Sequence, residues 1–284
     1  MEEAIKKAEV LIEALPYIKK FHKKIIVIKY GGSILAEDKI RKSVLEDIVF
    51  LSFTGLRPVL VHGGGPNISG RMRAEGKKTE FLDGMRVTDK DTLAVVEEEL
   101  GKLNALIVNE LTRLGANAVG LDGEKDEIIV AEKKKAKIDL GLVGHITGIN
   151  PEPILQKLEA KSVVAVLPMG KGKDKKAYNV NADEAASNIA IGLKAEKLVL
   201  LTNVKGIMRN GEDPNSFIST LTTQEAKGLI KSGVIQQGMI PKVTACIGAL
   251  ENGVKKTHVI DARIPHGLLL EIFTDKGVGT EIVK

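Results

Sequence analysis

The sequence has little of what marks secreted, metal-bound, membrane-spanning or RNA-binding proteins. It contains one cysteine, Cys246, so an intrachain disulfide and a cysteine-rich structural metal site are both excluded. Tryptophan is absent and aromatic residues make up only 3% of the chain, whereas RNA and single-strand binders use aromatic rings for stacking. No apolar run approaches the ~20 residues that a membrane-spanning helix needs. With no signal peptide at its start, we expect a cytoplasmic protein without a membrane partner.

Charge of one sign is not in large excess either. The chain has 42 basic and 37 acidic residues, a net charge of +5, and the two signs alternate along it. A nucleic-acid-binding protein concentrates its basic residues in one patch or stripe, so this pattern favours a solvated surface and no nucleic-acid partner. Apolar residues make up 43% of the 284 residues, enough for one large domain or two modest lobes around a substantial core.

The first segment, residues 1–22, is predicted to be a helix set apart from the main domain at 23–284. Apolar residues recur there at helical spacing, as at Ile5 and Ile12. We expect Pro16 to kink or break this helix. Its apolar face packs either on its own domain or on a neighbouring subunit, and periodicity alone favours neither.

Beyond this helix, short apolar strands alternate with helical segments. Runs such as those at 25–28 and 58–61 are rich in Val and Ile, and each is followed by a helical pattern. This alternation is typical of an α/β fold with a buried, mostly parallel central sheet. Residues 117–149 are predicted to form short antiparallel strands. Two lobes are predicted, 23–193 and 194–284, which meet near residue 194.

Two strands end in glycine-rich loops that suit an anion, at 31–33 (Gly-Gly-Ser) and 63–65 (Gly-Gly-Gly). Ligands of open α/β sheets lie at the carboxyl ends of the strands. Glycines there let the backbone approach a ligand closely and present N–H groups at a helix start. Taken singly, each loop is a weak indication, since glycine pairs more often form tight turns.

Two well-known nucleotide-binding motifs are absent. The stretch from Gly65 to Gly70 has the spacing of a Walker motif, but it continues with Arg71 and Met72 instead of Lys and Ser or Thr. No G-x-G-x-x-G opens a helix after a strand, which counts against a nicotinamide-dependent dehydrogenase. The sequence therefore excludes a P-loop and disfavours a dehydrogenase.

Two lysines stand beside predicted anion sites. Lys29 lies at the end of the first strand, where its ammonium would meet a phosphate-sized nest; a lysine snorkelling from the sheet edge is the structural alternative. Lys242 lies in the first turn of a predicted helix, where a cation is unfavourable for the helix dipole. A bound anion nearby would offset that unfavourable interaction. Two such lysines could flank a transferring phosphoryl group, where catalysis is mainly positioning and charge neutralisation.

Three further residues each have two interpretations. Asp183 either caps a helix or is a carboxylate that holds the lysines in place. Arg86 is either a structural arginine of a hairpin or a bidentate clamp on a substrate carboxylate. His62 precedes the second glycine loop, and a histidine before a glycine turn is often only packed.

In order and spacing, these loops resemble the amino-acid kinase family, and within it the N-acetylglutamate kinases of arginine biosynthesis. The match runs from about residue 10 to the end. The segments that carry it are LPYIKKF (15–21), VIKYGGS (27–33), VLVHGGGP (59–66), GMRVTD (84–89), YNVNADEAA (178–186), KLVLLTNVKGI (197–207), GMIPKV (238–243) and LLLEIFTDKGVGTEI (268–282). The resemblance implies a three-layer αβα sandwich of the carbamate kinase type. It also implies transfer of the γ-phosphoryl of ATP, with Mg²⁺ bound through the nucleotide, to the side-chain carboxylate of N-acetylglutamate.

The resemblance also implies residue roles. Lys29 and Lys242 would stabilise the charge of the transition state, and Asp183 would orient them. Backbone N–H groups for the phosphoryl group would come from Gly31, Gly32 and Gly64. The residues that would hold N-acetylglutamate are Gly64, Gly65, Arg86 and Asn179, with Arg86 on its α-carboxylate. The residues that would hold ATP, in the lobe at 194–284, are Leu201, Thr202, Asn203, Gly206, Ile207, Gly238 and Met239.

An N-terminal helix like this one is similar to that of the hexameric, arginine-inhibited members of the family. The partners that this implies are a second copy of the chain in a homodimer or hexamer, arginine as an effector, and the PII signalling protein. The implied effector contacts are Tyr17, Glu271, Gly277 and Gly279.

Two other functions fit the same residues. An acetylaminoadipate kinase would take a substrate one methylene longer, and one methylene is worth only ~1–3 kcal/mol of discrimination. A non-catalytic sensor that responds to arginine or PII would keep the fold, although the presence of both lysines and Asp183 favours an active enzyme.

Overall fold

The computed structural model describes residues 1–31, 34–35, 37–82, 84–210, 213–236 and 238–284, and within them an eight-stranded sheet forms the centre of the molecule. Its strands are β1 (Ile25–Tyr30), β2 (Arg57–His62), β5 (Ala118–Asp122), β8 (Val163–Leu167), β11 (Lys197–Thr202), β14 (Thr220–Thr222), β15 (Lys256–Asp261) and β16 (Thr280–Val283). Their spatial order is β14-β16-β15-β11-β1-β2-β8-β5. Strands β15 and β16 run antiparallel, and the other neighbouring pairs run parallel.

Helices cover both faces of this sheet. They are α1 (Glu2–Phe21), α2 (Asp38–Phe53), α3 (Gly65–Ala74), α4 (Lys90–Arg113), α5 (Glu152–Glu159), α6 (Ala182–Gly192), α7 (Thr223–Lys231), α8 (Ile240–Glu251) and α9 (Gly267–Phe273). Successive strand residues point to opposite faces, so an unbroken apolar strand needs cover on both. Ile26 and Ile28 pack with α2, α4 and α9, whereas Val27 packs with α5 to α8. The predicted three-layer αβα fold is thus confirmed.

A small closed barrel lies beside the large sheet. Its strands are β6 (Ile129–Lys133), β7 (Val143–Ile149), β9 (Met169–Gly172) and β10 (Ala177–Val180). Two short hairpins complete the strands, β3 (Phe81–Leu82) with β4 (Met85–Arg86), and β12 (Ile207–Met208) with β13 (Phe217–Ile218). The prediction of antiparallel strands over 117–149 holds for β6 and β7 but is wrong for β5, which runs parallel to β8. The connection from β5 to β8, which contains β6, β7 and α5, is long enough for the crossover that a parallel pair requires.

Helix α1 runs unbroken through Pro16, so of the two effects predicted for this proline, a kink or a break, the break is wrong. Proline removes one backbone donor, and the carbonyl that loses its partner belongs to Ile12, which is 67% exposed and open to water. Val10 and Leu11 are similarly exposed, at 63% and 66%. The apolar face at these residues is therefore not buried on its own domain. No helix in the described part of the chain has the length and apolar character needed to cross a membrane.

Candidate active site

The two predicted glycine loops meet at the carboxyl edge of β1 and β2. These strands pair in parallel register, and the Gly63 N–H donates to the Tyr30 carbonyl oxygen at 3.0 Å. A Cβ on Gly31 would lie only 3.1 Å from the Gly63 nitrogen and 3.4 Å from the Lys29 ammonium nitrogen. Glycine at position 31 thus permits the close approach of the two loops. Gly32, which was predicted to contact the phosphoryl group, lies outside the described residues.

Three charged side chains from different elements converge beside these loops. Lys29 comes from β1, Asp183 from the first turn of α6 and Lys242 from the first turn of α8. The Lys29 ammonium lies 2.9 Å from Asp183 Oδ1, and the Lys242 ammonium lies 2.9 Å from Asp183 Oδ2. One carboxylate therefore holds two lysines, and the structure brings together all three residues predicted for catalysis.

Asp183 is free for this contact because another residue caps its helix. The side-chain oxygen of Asn181 accepts the backbone N–H groups of Asp183, at 2.9 Å, and Glu184, at 3.2 Å. The alternative of Asp183 as a helix cap is therefore wrong. Placing a carboxylate in the first helical turn is favourable for the helix dipole as well.

Burial governs the electrostatics of these groups. Lys29 and Asp183 are 7% and 5% exposed. Burial lowers the pKa of Lys29, and the positive charge of Lys242 adds to this, while Asp183 opposes it. Burial alone would raise the pKa of Asp183, but the two ammonium groups outweigh it and hold that pKa below the ordinary carboxyl value. Two lysine side chains on one carboxylate leave a formal excess of positive charge here, which suits a polyphosphate.

Arg86, on β4, is buried with no carboxylate partner among the described residues. Its guanidinium donates to the Gly65 carbonyl at 3.0 Å and to the Ser69 hydroxyl at 2.7 Å, and it lies 4.7 Å from the centre of the Phe81 ring. Burial lowers the pKa of Arg86. A guanidinium fixed by neutral groups leaves its charge available for an anionic ligand.

A cavity of about 190 Å³ is lined by both Lys29 and Arg86. Its wall includes five of the predicted residues, namely Lys29, Gly64, Gly65, Arg86 and Asn179. The Asn179 amide donates to the hydroxyl of Thr88 at 3.1 Å, which fixes it at the wall. A ligand with two anionic groups would therefore find two positive side chains, Lys29 and Arg86, in the wall of one cavity.

The residues predicted to hold the nucleotide lie at the same edge of the sheet, in the last two positions of β11, in the segment that follows it, and just before α8. Strand β11 is the parallel neighbour of β1 on the side away from β2. Gly206 has φ of +124°, and a Cβ there would lie 2.7 Å from the Thr280 hydroxyl, which accepts the Ile207 N–H at 2.9 Å. The structure thus places these segments on the same edge as the lysines. They contain Leu201, Thr202, Asn203, Gly206, Ile207, Gly238 and Met239.

Three of the residues predicted for an effector, Glu271, Gly277 and Gly279, lie together, and Tyr17 contacts the loop that joins them. The carboxylate of Glu271 accepts the backbone N–H of Gly279 at 2.9 Å, and a Cβ on Gly277 would lie 2.7 Å from it. The hydroxyl of Tyr17, on α1, donates to the carboxylate of Asp275 in the same loop. This contact joins the N-terminal helix to the segment after α9.

Two residues of this cluster, Lys197 and His258, were missed from the sequence. His258 Nδ1 lies 2.6 Å from Glu271 Oε1, and His258 Nε2 lies 2.9 Å from the Lys197 ammonium. Burial lowers the pKa of Lys197 to about 8. Burial alone would raise the pKa of Glu271, but His258 and two backbone N–H groups lower it to about 2. The sequence did contain a signal for these two residues, because Lys197 and His258 are titratable residues inside otherwise apolar strands.

An α/β sheet whose carboxyl edge carries two lysines on one buried carboxylate, beside glycine loops, is the arrangement of a phosphotransferase. Comparison with known proteins agrees: the profile of the amino acid kinase family matches residues 24–261. The chain belongs to this family.

Individual relatives match over nearly the whole chain. Acetylglutamate kinase of Petrotoga mobilis is 50% identical over 283 residues, which cover 99% of this chain and 95% of that protein. Acetylglutamate kinase of Desulforamulus reducens is 46% identical over 285 residues, which cover 100% of this chain and 99% of that protein.

The fold of this chain is also similar to that of solved structures. N-acetylglutamate synthase of Neisseria gonorrhoeae, complexed with coenzyme A and N-acetyl-glutamate, superposes with a TM-score of 0.87 at 27% identity over 98% of this chain. The chain spans 63% of the length of that synthase. Carbamate kinase of Giardia lamblia superposes with a TM-score of 0.67 at 18% identity, covering 92% of this chain and 99% of that one, which shows a shared fold.

Proposed function

We propose that this protein phosphorylates the side-chain carboxylate of N-acetyl-L-glutamate with ATP, the second step of arginine biosynthesis, in the cytoplasm. The observation that carries the proposal is the cavity lined by both Lys29 and Arg86, beside the Asp183 carboxylate that Lys29 shares with Lys242. N-acetylglutamate has one carboxylate for Arg86 and one for Lys29. Relatives named acetylglutamate kinase, at 46–50% identity over nearly full length, support the choice of substrate.

In this proposal Arg86 binds the α-carboxylate, and Gly64, Gly65 and Asn179 hold the rest of the substrate. The side-chain carboxylate then points toward Lys29. One of its oxygens attacks the γ-phosphorus of ATP as the bond from that phosphorus to the β,γ-bridging oxygen breaks. The products are an acyl phosphate and ADP, with no covalent enzyme intermediate.

Charge neutralisation is the main contribution of the protein to this reaction. Lys29 and Lys242 stabilise the negative charge on the transferring phosphoryl group, and Asp183 keeps both ammonium groups in position. Backbone N–H groups of Gly31, Gly32 and Gly64 assist. ATP lies in the lobe at 194–284 and brings Mg²⁺ on its own phosphate oxygens, which further neutralises them.

A coupled assay of ATP turnover tests this function directly. We expect N-acetyl-L-glutamate to support ADP release and its homologue N-acetyl-L-2-aminoadipate to do so less well, by the ~1–3 kcal/mol that one methylene is worth. A clear preference for the adipate would replace the proposed substrate, and turnover of neither acid would support the non-catalytic alternative.

Replacement of Arg86 by lysine should raise the KM for N-acetylglutamate by about 10–100-fold, because lysine cannot reproduce two parallel hydrogen bonds to a carboxylate. The KM for ATP should stay the same, since the nucleotide binds in the other lobe. Initial-rate kinetics with each substrate varied in turn will measure both. The matched control is Arg73→Lys on the exposed face of α3, which should change neither constant. A rise in the KM for ATP alone would contradict the role of Arg86.

We further propose that the cluster around Glu271 binds arginine as an inhibitor and that α1 docks on another subunit. The buried carboxylate of Glu271 suits a guanidinium, and the contact of Tyr17 with Asp275 links the site to α1. The exposed apolar residues Val10 and Leu11 support an oligomeric role for that helix. A dimer or hexamer, and PII as a partner, stay predictions.

Addition of L-arginine should therefore reduce turnover in the coupled assay. Glu271→Gln should raise the arginine concentration for half-inhibition by about 10-fold or more, the effect of losing one charge-assisted hydrogen bond. Glu251→Gln, which alters an exposed ion pair with Lys227, is the control and should leave that concentration unchanged. Equal arginine sensitivity in wild type and Glu271→Gln would show that the effector binds elsewhere.

A further inference from the structure

A buried polar pair, His62 and Asn104, lies behind the second glycine loop. His62 is the last residue of β2 and is fully buried, and Asn104, on α4, is 7% exposed. The Asn104 amide nitrogen lies 3.1 Å from His62 Nε2 and 3.1 Å from the carbonyl oxygen of Ala165. Neither side chain belongs to the described wall of the substrate cavity, so the proposed reaction leaves both without a role.

A glycine in β5, the strand on the far side of β8 from β2, makes room for this pair. A Cβ on Gly120, in β5, would lie 1.9 Å from Asn104 Oδ1, so any larger residue at position 120 would displace the amide. Burying polar groups costs free energy unless they are hydrogen-bonded, and apolar side chains would fill this space without that requirement. Packing alone therefore does not explain why His62 and Asn104 occupy this buried position.

The hydrogen bonds determine which nitrogen of His62 carries the proton. The Ala165 carbonyl oxygen can only accept, so the Asn104 amide must turn its NH₂ group toward it. The second N–H of that group then donates to His62 Nε2, which must be unprotonated. The ring proton therefore lies on Nδ1, which is 3.4 Å from the Gly63 carbonyl oxygen. Burial lowers the pKa of His62 to about 4, so this neutral form persists at neutral pH.

We propose that Asn104 and His62 are positioning residues that direct the Gly64 N–H into the cavity, a role that rests on the phosphoryl transfer proposed above. In a trans peptide the C=O and N–H bonds point in opposite directions. The ring holds the Gly63 carbonyl on its own side, so the Gly64 N–H points away from the ring, toward the cavity that Gly64 lines.

Helix α4 supports the same loop with apolar side chains. A Cβ on Gly64 would lie 2.8 Å from a methyl carbon of Leu100 and 3.3 Å from one of Leu103, so the helix packs directly on the loop. Leu100, Leu103 and Asn104 form one face of α4 at helical spacing. The leucines set where the loop lies, and the asparagine, through His62, sets which way its peptide faces.

The tautomer of His62 is the first test. Two-bond ¹H–¹⁵N spectra of wild-type protein labelled at histidine report the protonated nitrogen of each ring, and His62→Asn identifies the signals of His62 by their loss. We expect the proton on Nδ1. Asn104→Asp removes the donor to Nε2, so His62 should move its proton to Nε2 and donate to the new carboxylate. Nδ1 then faces the Gly63 carbonyl as a second acceptor and repels it.

Kinetics are the second test. Asn104→Asp should lower kcat with ATP and N-acetylglutamate by about 10–100-fold, as expected when one backbone donor to a charged transition state is misaligned. The KM for ATP should not change. His62→Asn places an amide N–H near the position of Nδ1 and should recover most of the kcat that His62→Phe loses. Asn117→Asp, which alters an amide that donates to the Ala160 carbonyl far from the loop, is the matched control and should keep kcat within about twofold.

The outcomes separate this inference from the proposed function. A wild-type proton on Nε2 overturns the inference, as does an Asn104→Asp protein that changes tautomer and keeps its kcat. If the variants do not fold, the wild-type spectrum decides, with Nδ1–H in support and Nε2–H against. Failure of wild-type protein to turn over N-acetylglutamate contradicts the proposed function instead, whatever the tautomer of His62.

Discussion

Replacement of Lys29 by alanine is expected to lower kcat by about 10²–10³-fold, the range for removing one preorganised group that stabilises transition-state charge. Lys242→Ala should have a smaller effect of the same kind. The side chain of Lys29 is 9% exposed and that of Lys242 is 20% exposed, so water screens the charge of Lys242 more. Steady-state kinetics with saturating ATP and N-acetylglutamate will give both values.

The fold should survive these substitutions because Asp183 keeps one ammonium partner in either variant. Binding of N-acetylglutamate, measured by calorimetry, should therefore persist. Lys24→Ala is the matched control: its side chain is 53% exposed, it precedes the same strand, and its ion pair with Glu196 spans 3.6 Å. An exposed pair of this kind contributes little, so kcat should stay within about twofold. Unchanged kcat in both Lys29→Ala and Lys242→Ala would refute the charge-stabilising roles.

Replacement of Asp183 by asparagine is expected to lower kcat by at least about 100-fold and to shift its pH dependence. The carboxylate is the group that raises the pKa of Lys29 against burial and against Lys242. Without it, that pKa falls further, so Lys29 loses its proton at a lower pH. The decline of kcat on the alkaline side should therefore begin at lower pH than in the wild type. A pH series of kcat from neutral to alkaline pH measures the shift.

Stability should fall as well, since removing one partner of a buried ion pair costs about 3–5 kcal/mol. Chemical denaturation will report this change separately from kcat. Glu184→Gln is the control, because Glu184 is in the same helical turn but pairs with Lys134 and His145 instead of the two lysines. We expect the decline of kcat at alkaline pH in Glu184→Gln to coincide with that of the wild type. An Asp183→Asn enzyme with an unshifted decline would mean that Lys29 is not the titrating group.

Sequence patterns predicted the framework because the signals are local. The apolar run around Val27, followed by Lys29 and glycines, predicts a strand buried on both faces, and the structure has that strand with Lys29 near its end. Pro241 at the start of α8 marked the helix that carries Lys242. These features depend on spacing along the chain, which the sequence gives directly.

Contacts between distant segments were harder to predict. The sequence left Asp183 with two interpretations because a cap and a first-turn carboxylate lie within two residues of each other. The contact of Glu271 with His258, and the placement of Asn104 behind His62, join elements that no local pattern connects. Each needs the register of strands and the rotation of helices, which tertiary packing sets.

The sequence by itself determined the α/β fold, the glycine loops and the identity of the charged residues, because periodicity, turn chemistry and residue type are properties of the chain. Only the tertiary structure decided that Lys29 and Lys242, 213 positions apart, share one carboxylate, and that Lys29 and Arg86 line one cavity. The physical reason is that a buried charge is stable only where folding brings a partner to it, and that partner comes from elsewhere in the chain.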